Sequence, residues 1–144
     1  MHITAADRFA IQDLYAAYCR TVDLGDAEGW ADTFTPDGRR IYDDNPGVPG
    51  RAGRRFTGHA ELVTMQSVPR RLRVRHWHGL PVLTDKGDYL ESVVYGMVVD
   101  ISQDPPVIMA HFTYTDELVK AADGSWRMRS RSSARDLLRI PDLS

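Results

Sequence analysis

Two side chains near the end of the first amphipathic segment, in the run Tyr18-Cys19-Arg20-Thr21-Val22-Asp23, belong to types that pass protons between reacting groups. A later run, Arg73-Val74-Arg75-His76-Trp77-His78, adds two imidazoles, whose ordinary pKa near ~6.5 suits a general base at neutral pH. His76 and His78 alternate with Trp77, so both leave one face of an extended strand together with Val74. A carboxylate that accepts one ring N–H would orient such an imidazole and raise its basicity. Arg135 closes the alternating run Met128 to Arg135 and is fit to hold an anionic or carbonyl group, whereas Arg129 and Arg131 read as solvated sheet-face arginines. If Tyr18, Asp23, one of the histidines and Arg135 share a pocket, the chain is a small acid/base enzyme. If they do not, it is a small binding domain.

Tyr18 falls on an apolar helical stripe, so its ring faces the core or a cavity. Asp23 lies five residues on, turned by roughly 140° on an ideal helix. The two converge only if the helix unwinds at Val22-Asp23, a break that Gly25 favours. His78, Tyr95, His111, Thr113 and Trp30 are the candidates to contact a substrate. Met109, His111, Thr113 and Thr115 share one strand face and Ile108, Ala110, Phe112 and Tyr114 the other, and the pattern does not say which lines a cavity. His76 and His78 at i, i+2 could start a metal pair, with His111 or an aspartate as a third ligand. Without a dense His/Cys cluster no metal is assigned, and no cofactor is implied. The lone Cys19 reads as a small buried hydrophobe.

The elements that must position these residues are legible in outline. Thr4-Ala5-Ala6-Asp7 resembles a capping box, and Ile11, Leu14, Tyr15, Tyr18 and Val22 give a helix from about Ala5 to Val22. Asp26 caps a second helix, Ala27 to Phe34, with Trp30 and Phe34 towards the core and a turn at Thr35-Pro36-Asp37-Gly38. Residues 43 to 55, rich in Gly and Pro, predict a long loop. Gly58 to about Val68 predicts a third helix, ended by Pro69. The period then changes to two, with strands expected at Arg71 to Leu83, Tyr89 to Ile101, Val107 to Lys120 and Ser125 to Leu138. Helices followed by consecutive strands with short joints predict an α+β fold, a curved antiparallel sheet wrapped around helices to leave a cone-shaped cavity. Such a cavity suits a hydrophobic small molecule.

The 144 residues fit one domain, 1–144, with 42% apolar and 26% charged residues, as in ordinary globular proteins. A net charge of −2 gives no electrostatic case for nucleic acid, despite local arginine clusters. There is no signal-peptide pattern and no apolar run long enough to span a membrane, so a cytoplasmic protein is expected.

Together, Tyr18 to Asp23, Gly25-Asp26 to Trp30, Phe34 to Gly38, His76, and Asp123-Gly124-Ser125-Trp126-Arg127 resemble the SnoaL-like branch of the nuclear-transport-factor-2-like superfamily over nearly the whole chain. Within it the pattern is similar to the bile-acid 7α-dehydratases and, more loosely, to scytalone dehydratase. That resemblance implies the cone-shaped α+β barrel of the superfamily. It places the dehydratase Tyr, Asp, His and Arg on Tyr18, Asp23, His76 (or His78) and Arg135, and Pro81 after the strand favours His76. The second histidine of scytalone dehydratase has no counterpart in Val93 to Ile101. By resemblance the activity is a cofactor-free dehydratase or isomerase acting on a hydrophobic polycyclic ketone. Polyketide cyclisation and non-catalytic binding of an apolar ligand are the alternatives. The resemblance also implies a homodimer or homotrimer.

Overall fold

The computed structural model describes residues 3–43, 50–68 and 73–136. The middle of the predicted long loop, Pro69, the start of the first predicted strand and the end of the last lie outside these residues. Helix α1 (Ala5–Leu24) opens on the expected capping box, in which Thr4 and Asp7 satisfy each other's backbone N–H. It closes on Gly25, whose φ of 74° is the left-handed conformation a helix C-terminus favours. The helix therefore does not unwind at Val22-Asp23. Helix α2 (Ala27–Ala31) is capped by Asp26 as expected but is shorter than the sequence suggested.

Phe34 opens strand β1 (Phe34–Tyr42) rather than ending a helix. The Thr35-Pro36-Asp37-Gly38 run is a register shift inside this strand, not a turn between elements. The fold there is so tight that a Cβ on Gly38 would lie 2.7 Å from the Phe34 Cβ. Short strand β2 (Arg55–Thr57) and helix α3 (His59–Gln66) follow. The expected strand from Arg71 to Leu83 is two: β3 (Val74–His78) and β4 (Val82–Asp85). Strands β5 (Leu90–Asp100), β6 (Val107–Lys120) and β7 (Trp126–Arg135) complete one seven-stranded sheet.

The strand order is β2-β1-β7-β6-β5-β3, with β4 also on β5, and every pairing is antiparallel except β1 with β7. The inner face of this curved sheet presents Leu90, Val94, Tyr114, Leu118 and Met128 to Ile11, Leu14, Tyr18 and Val22 of α1, all buried. Burial of this apolar surface drives the helices onto the sheet. Strand β3 lies under α1, which brings the histidine strand to the helix that carries Tyr18 and Asp23. None of the described helices is long and apolar enough to cross a membrane.

Candidate functional site

The C-terminal turn of α1 meets β3 at Asp23. Its Oδ1 lies 2.7 Å from His76 Nδ1, and the carboxylate also accepts the His76 backbone N–H, at 3.0 Å through Oδ2. These two contacts fix both the strand and the rotation of the ring. A carboxylate only accepts, so Nδ1 carries a proton, and in the neutral ring Nε2 is the nitrogen with the lone pair. Among the described residues Nε2 has no hydrogen-bond partner. The two side chains are mostly buried, with 15% of His76 and 8% of Asp23 exposed. A groove of about 300 Å³, lined by Gln12, Ala16, Cys19, His76, His78 and Pro81, leads to them between α1 and β3.

His78, on the same strand face, is held in another way. Its Nε2 is 3.3 Å from Arg131 Nη1 and its Nδ1 is 3.4 Å from Cys19 Sγ. The guanidinium can only donate, so Nε2 accepts and Nδ1–H points at the sulfur. Burial, then the charges of Arg131, His76 and Arg40, push its pKa down to about 2, so the ring stays neutral. Burial likewise pushes the Cys19 thiol up to about 12, which keeps it protonated and unreactive.

Beyond His78 lies a fully buried ion pair. Arg131 grips Asp116 with its fork, Nε to Oδ1 at 2.9 Å and Nη2 to Oδ2 at 3.0 Å, and both side chains are 0% exposed. Tyr15 donates to Asp116 Oδ2 at 2.6 Å and meets Ser92 Oγ at 2.6 Å. The guanidinium sits over the rings of Tyr18 and Tyr114, at 4.3 and 4.2 Å. Burial works against its charge most, but the Asp116 carboxylate, Tyr18 and Tyr15 together offset this and hold its pKa above the ordinary arginine value.

The structure sorts the sequence candidates by face. Asp23 and His76 meet. Tyr18 packs in the core against Trp30, Phe34 and His78, and its hydroxyl has no hydrogen-bond partner among the described residues. Trp30 is a core residue, 1% exposed. Arg135 follows Arg131 and Ser133 along the inner face, beside Phe112, with only a long 3.5 Å contact to the Met109 carbonyl. Three expectations fail. Tyr95, His111 and Thr113 lie on the outer face of the sheet, where His111 and Thr113 bond Asp136 and Tyr95 lies beside the His111 ring. Strand alternation forces this, because Tyr114, between Thr113 and Thr115, is the residue that turns inwards.

Arg131 is also corrected, since it is buried rather than solvated. A register shift in the β6–β7 pairing sets Glu117 opposite Ser130 but Leu118 opposite Met128, so Arg129 and Arg131 fall on opposite faces. Asp116, Arg131, Tyr15, Ser92 and the buried Arg40 were not singled out from the sequence. One signal was present: an aspartate within the inward stripe Tyr114, Asp116, Leu118 requires a buried cation.

The sequence profile of the SnoaL-like domain matches residues 4–132. The chain belongs to the SnoaL-like domain family. No protein of curated function matches the sequence. Among solved structures, Rv3472 from Mycobacterium tuberculosis, described as of unknown function, is 27% identical with a TM-score of 0.80, over 98% of this chain and 84% of that one. A protein from Catenulispora acidiphila, solved in complex with S-DNPA, is 26% identical with a TM-score of 0.77, over 92% and 96% of the two chains. An NTF2-like protein with a cystatin-like fold from Novosphingobium aromaticivorans is 22% identical with a TM-score of 0.76, over 95% and 85%, and shares the fold of this SnoaL-like chain.

Proposed function

We propose that this SnoaL-like protein is an acid/base enzyme, a dehydratase or isomerase of a hydrophobic polycyclic ketone that uses His76 as its base. The contact between Asp23 and His76 carries the reading. The carboxylate fixes the tautomer, so Nε2 takes the proton α to the substrate carbonyl, and it stabilises the imidazolium that forms. The carbonyl receives the electron pair as an enolate, so the substrate acts as its own electron sink. Collapse of that enolate expels a β-hydroxyl as water or returns the proton at another carbon. The unpartnered Tyr18 hydroxyl is the proposed donor to the enolate or to the departing hydroxyl, and Arg135 the proposed holder of a distal polar group.

The family includes polyketide cyclases as well as isomerases and dehydratases, and all three chemistries can start from an enolate. The Catenulispora relative was solved in complex with S-DNPA, which supports ligand binding by this fold. We also propose a homodimer or homotrimer formed through the outer sheet face, where Trp77, Val82 and Tyr95 are exposed. Sedimentation of the purified protein tests this, and a monomer at micromolar concentration would overturn it.

Deuterium exchange at the α-carbon of 2-tetralone and 2-decalone in D2O, followed by NMR, tests the chemistry without knowledge of the natural substrate. The wild-type protein is expected to accelerate exchange over buffer, and His76→Ala to lose the acceleration. No acceleration by the wild type, or equal acceleration by His76→Ala, overturns the reading.

A further inference from the structure

Arg40 and Arg131 stand side by side, at one register position of the parallel β1–β7 pair, and both are buried. Arg131 has its carboxylate. Arg40, 4% exposed, has none among the described residues. Its Nη1 donates to the carbonyls of Ile41, at 2.7 Å, and Arg131, at 3.4 Å, and its Nη2 donates to Ser133 Oγ at 3.0 Å. Its Nε is buried with no partner. The edge formed by Nε and Nη2, which Arg131 gives to Asp116, is therefore half vacant on Arg40. A buried cation without a counter-charge is costly and is normally paired.

The other buried polar groups point the same way. Among the described residues, the buried side-chain nitrogens and oxygens without partners are Arg40 Nε, Gln66 Nε2 and Trp30 Nε1, and all three are N–H donors. Tyr42 packs against the first of them: the Arg40 guanidinium lies 4.0 Å from its ring centroid. The ring of Tyr114 lies 5.8 Å from the same guanidinium. An unpaired guanidinium N–H between two aromatic rings calls for a flat ligand whose polar end accepts. An ionised carboxylate has this property, and so does a phenolate.

We propose that the inner face at Arg40 binds the oxyanion of an aromatic or polycyclic acid, with Arg40 supplying to the ligand the fork that Arg131 supplies to Asp116. Tyr42 and Tyr114 are the ring walls. This inference stands apart from the chemistry proposed for His76, because it concerns binding and needs no turnover.

Calorimetric titration of the full-length protein with 2-naphthoate and with neutral 2-naphthamide, at pH 7.5, tests it. The acid is expected to bind at least about tenfold more tightly than the amide, the scale of a charge-assisted hydrogen bond. Arg40→Met should remove that preference, while Arg129→Gln, an outer-face arginine held by Glu117 and Asp88, should keep it. Arg40→Lys, which retains the charge but not the fork, should lose at least about threefold of the preference and serves if Arg40→Met does not fold. A 2-naphtholate titration at pH 10.5 distinguishes a phenolate ligand from a carboxylate: tighter binding of either anion than of the amide supports the site. Equal binding of acids and amide by the wild type, or an acid preference unchanged in the Arg40 variants, overturns it.

Discussion

His76 and His78 leave the same face of β3, two residues apart, and meet opposite surroundings. His76 receives a carboxylate on one nitrogen and keeps the other free, in a partly open groove. His78 has both nitrogens occupied, by Cys19 and Arg131, and burial holds it neutral. In the proposed reading the difference decides which imidazole is the base: its partner and its access to a ligand, not its place in the motif. One ring has a free nitrogen facing a groove, and the other packs the core and accepts from a buried cation.

The largest expected effect falls on the open histidine. His76→Ala should lower turnover by about 10²–10⁴-fold, and Asp23→Asn by about 10²-fold or more, with thermal unfolding little changed. The two histidines would lose their distinction if His78→Gln lowered turnover as far as His76→Ala while leaving the fold intact. Next in size is the ion pair that fixes His78. Arg131→Met strands Asp116 in the core and should cost about 3–5 kcal/mol in urea unfolding. The double variant Arg131→Met, Asp116→Leu should recover much of that loss.

A smaller effect sharpens the comparison through pH. The folded pKa of His78 lies near 2 and the unfolded value near ~6.5, so between these values the unfolded chain binds a proton that the folded one does not. Stability should therefore fall as pH drops below ~6.5, by up to about 1.4 kcal/mol per unit from this group. Urea midpoints at successive pH values should show a shallower acid slope in His78→Gln, and identical slopes would remove the buried neutral ring from the account. Smallest of all, His111→Ala on the outer face should change stability by no more than about 0.5 kcal/mol and leave turnover unchanged.

Local chemistry made much of this readable in advance. The Thr4–Asp7 box, the Asp26 cap and the extent of β6 follow from neighbouring residues alone, as does the shared face of His76 and His78. The parts that were misread depend on pairings distant in sequence. Strand β1 was hidden because Pro36, Asp37 and Gly38 spell a turn, while the parallel pairing with β7 absorbs them in a register shift. Arg131 was misassigned because alternation holds only until an extra residue within its own strand, here at Arg129, resets it. The helix makes no break at Val22-Asp23 to turn Asp23 towards Tyr18; Asp23 instead reaches His76, because β3 passes beneath the last turn of α1. The face of β6 that carries Thr113 was undecidable because both faces of that strand mix polar and apolar residues.

Helix α1 is tied down at each end by an aspartate. Asp7 holds the Lys120 ammonium at 2.9 Å and the Trp126 indole N–H at 3.1 Å, where β6 and β7 meet, and Asp23 holds His76 on the far strand. The stretch between the two carboxylates rises roughly 24 Å and behaves as a measuring rod laid across the sheet. One residue inserted within it would swing Asp23 by about 100° off the imidazole while leaving the Asp7 anchor in place. The residue count between those two anchors therefore sets the alignment of Asp23 with His76, as the pitch of a thread sets where a screw comes to rest.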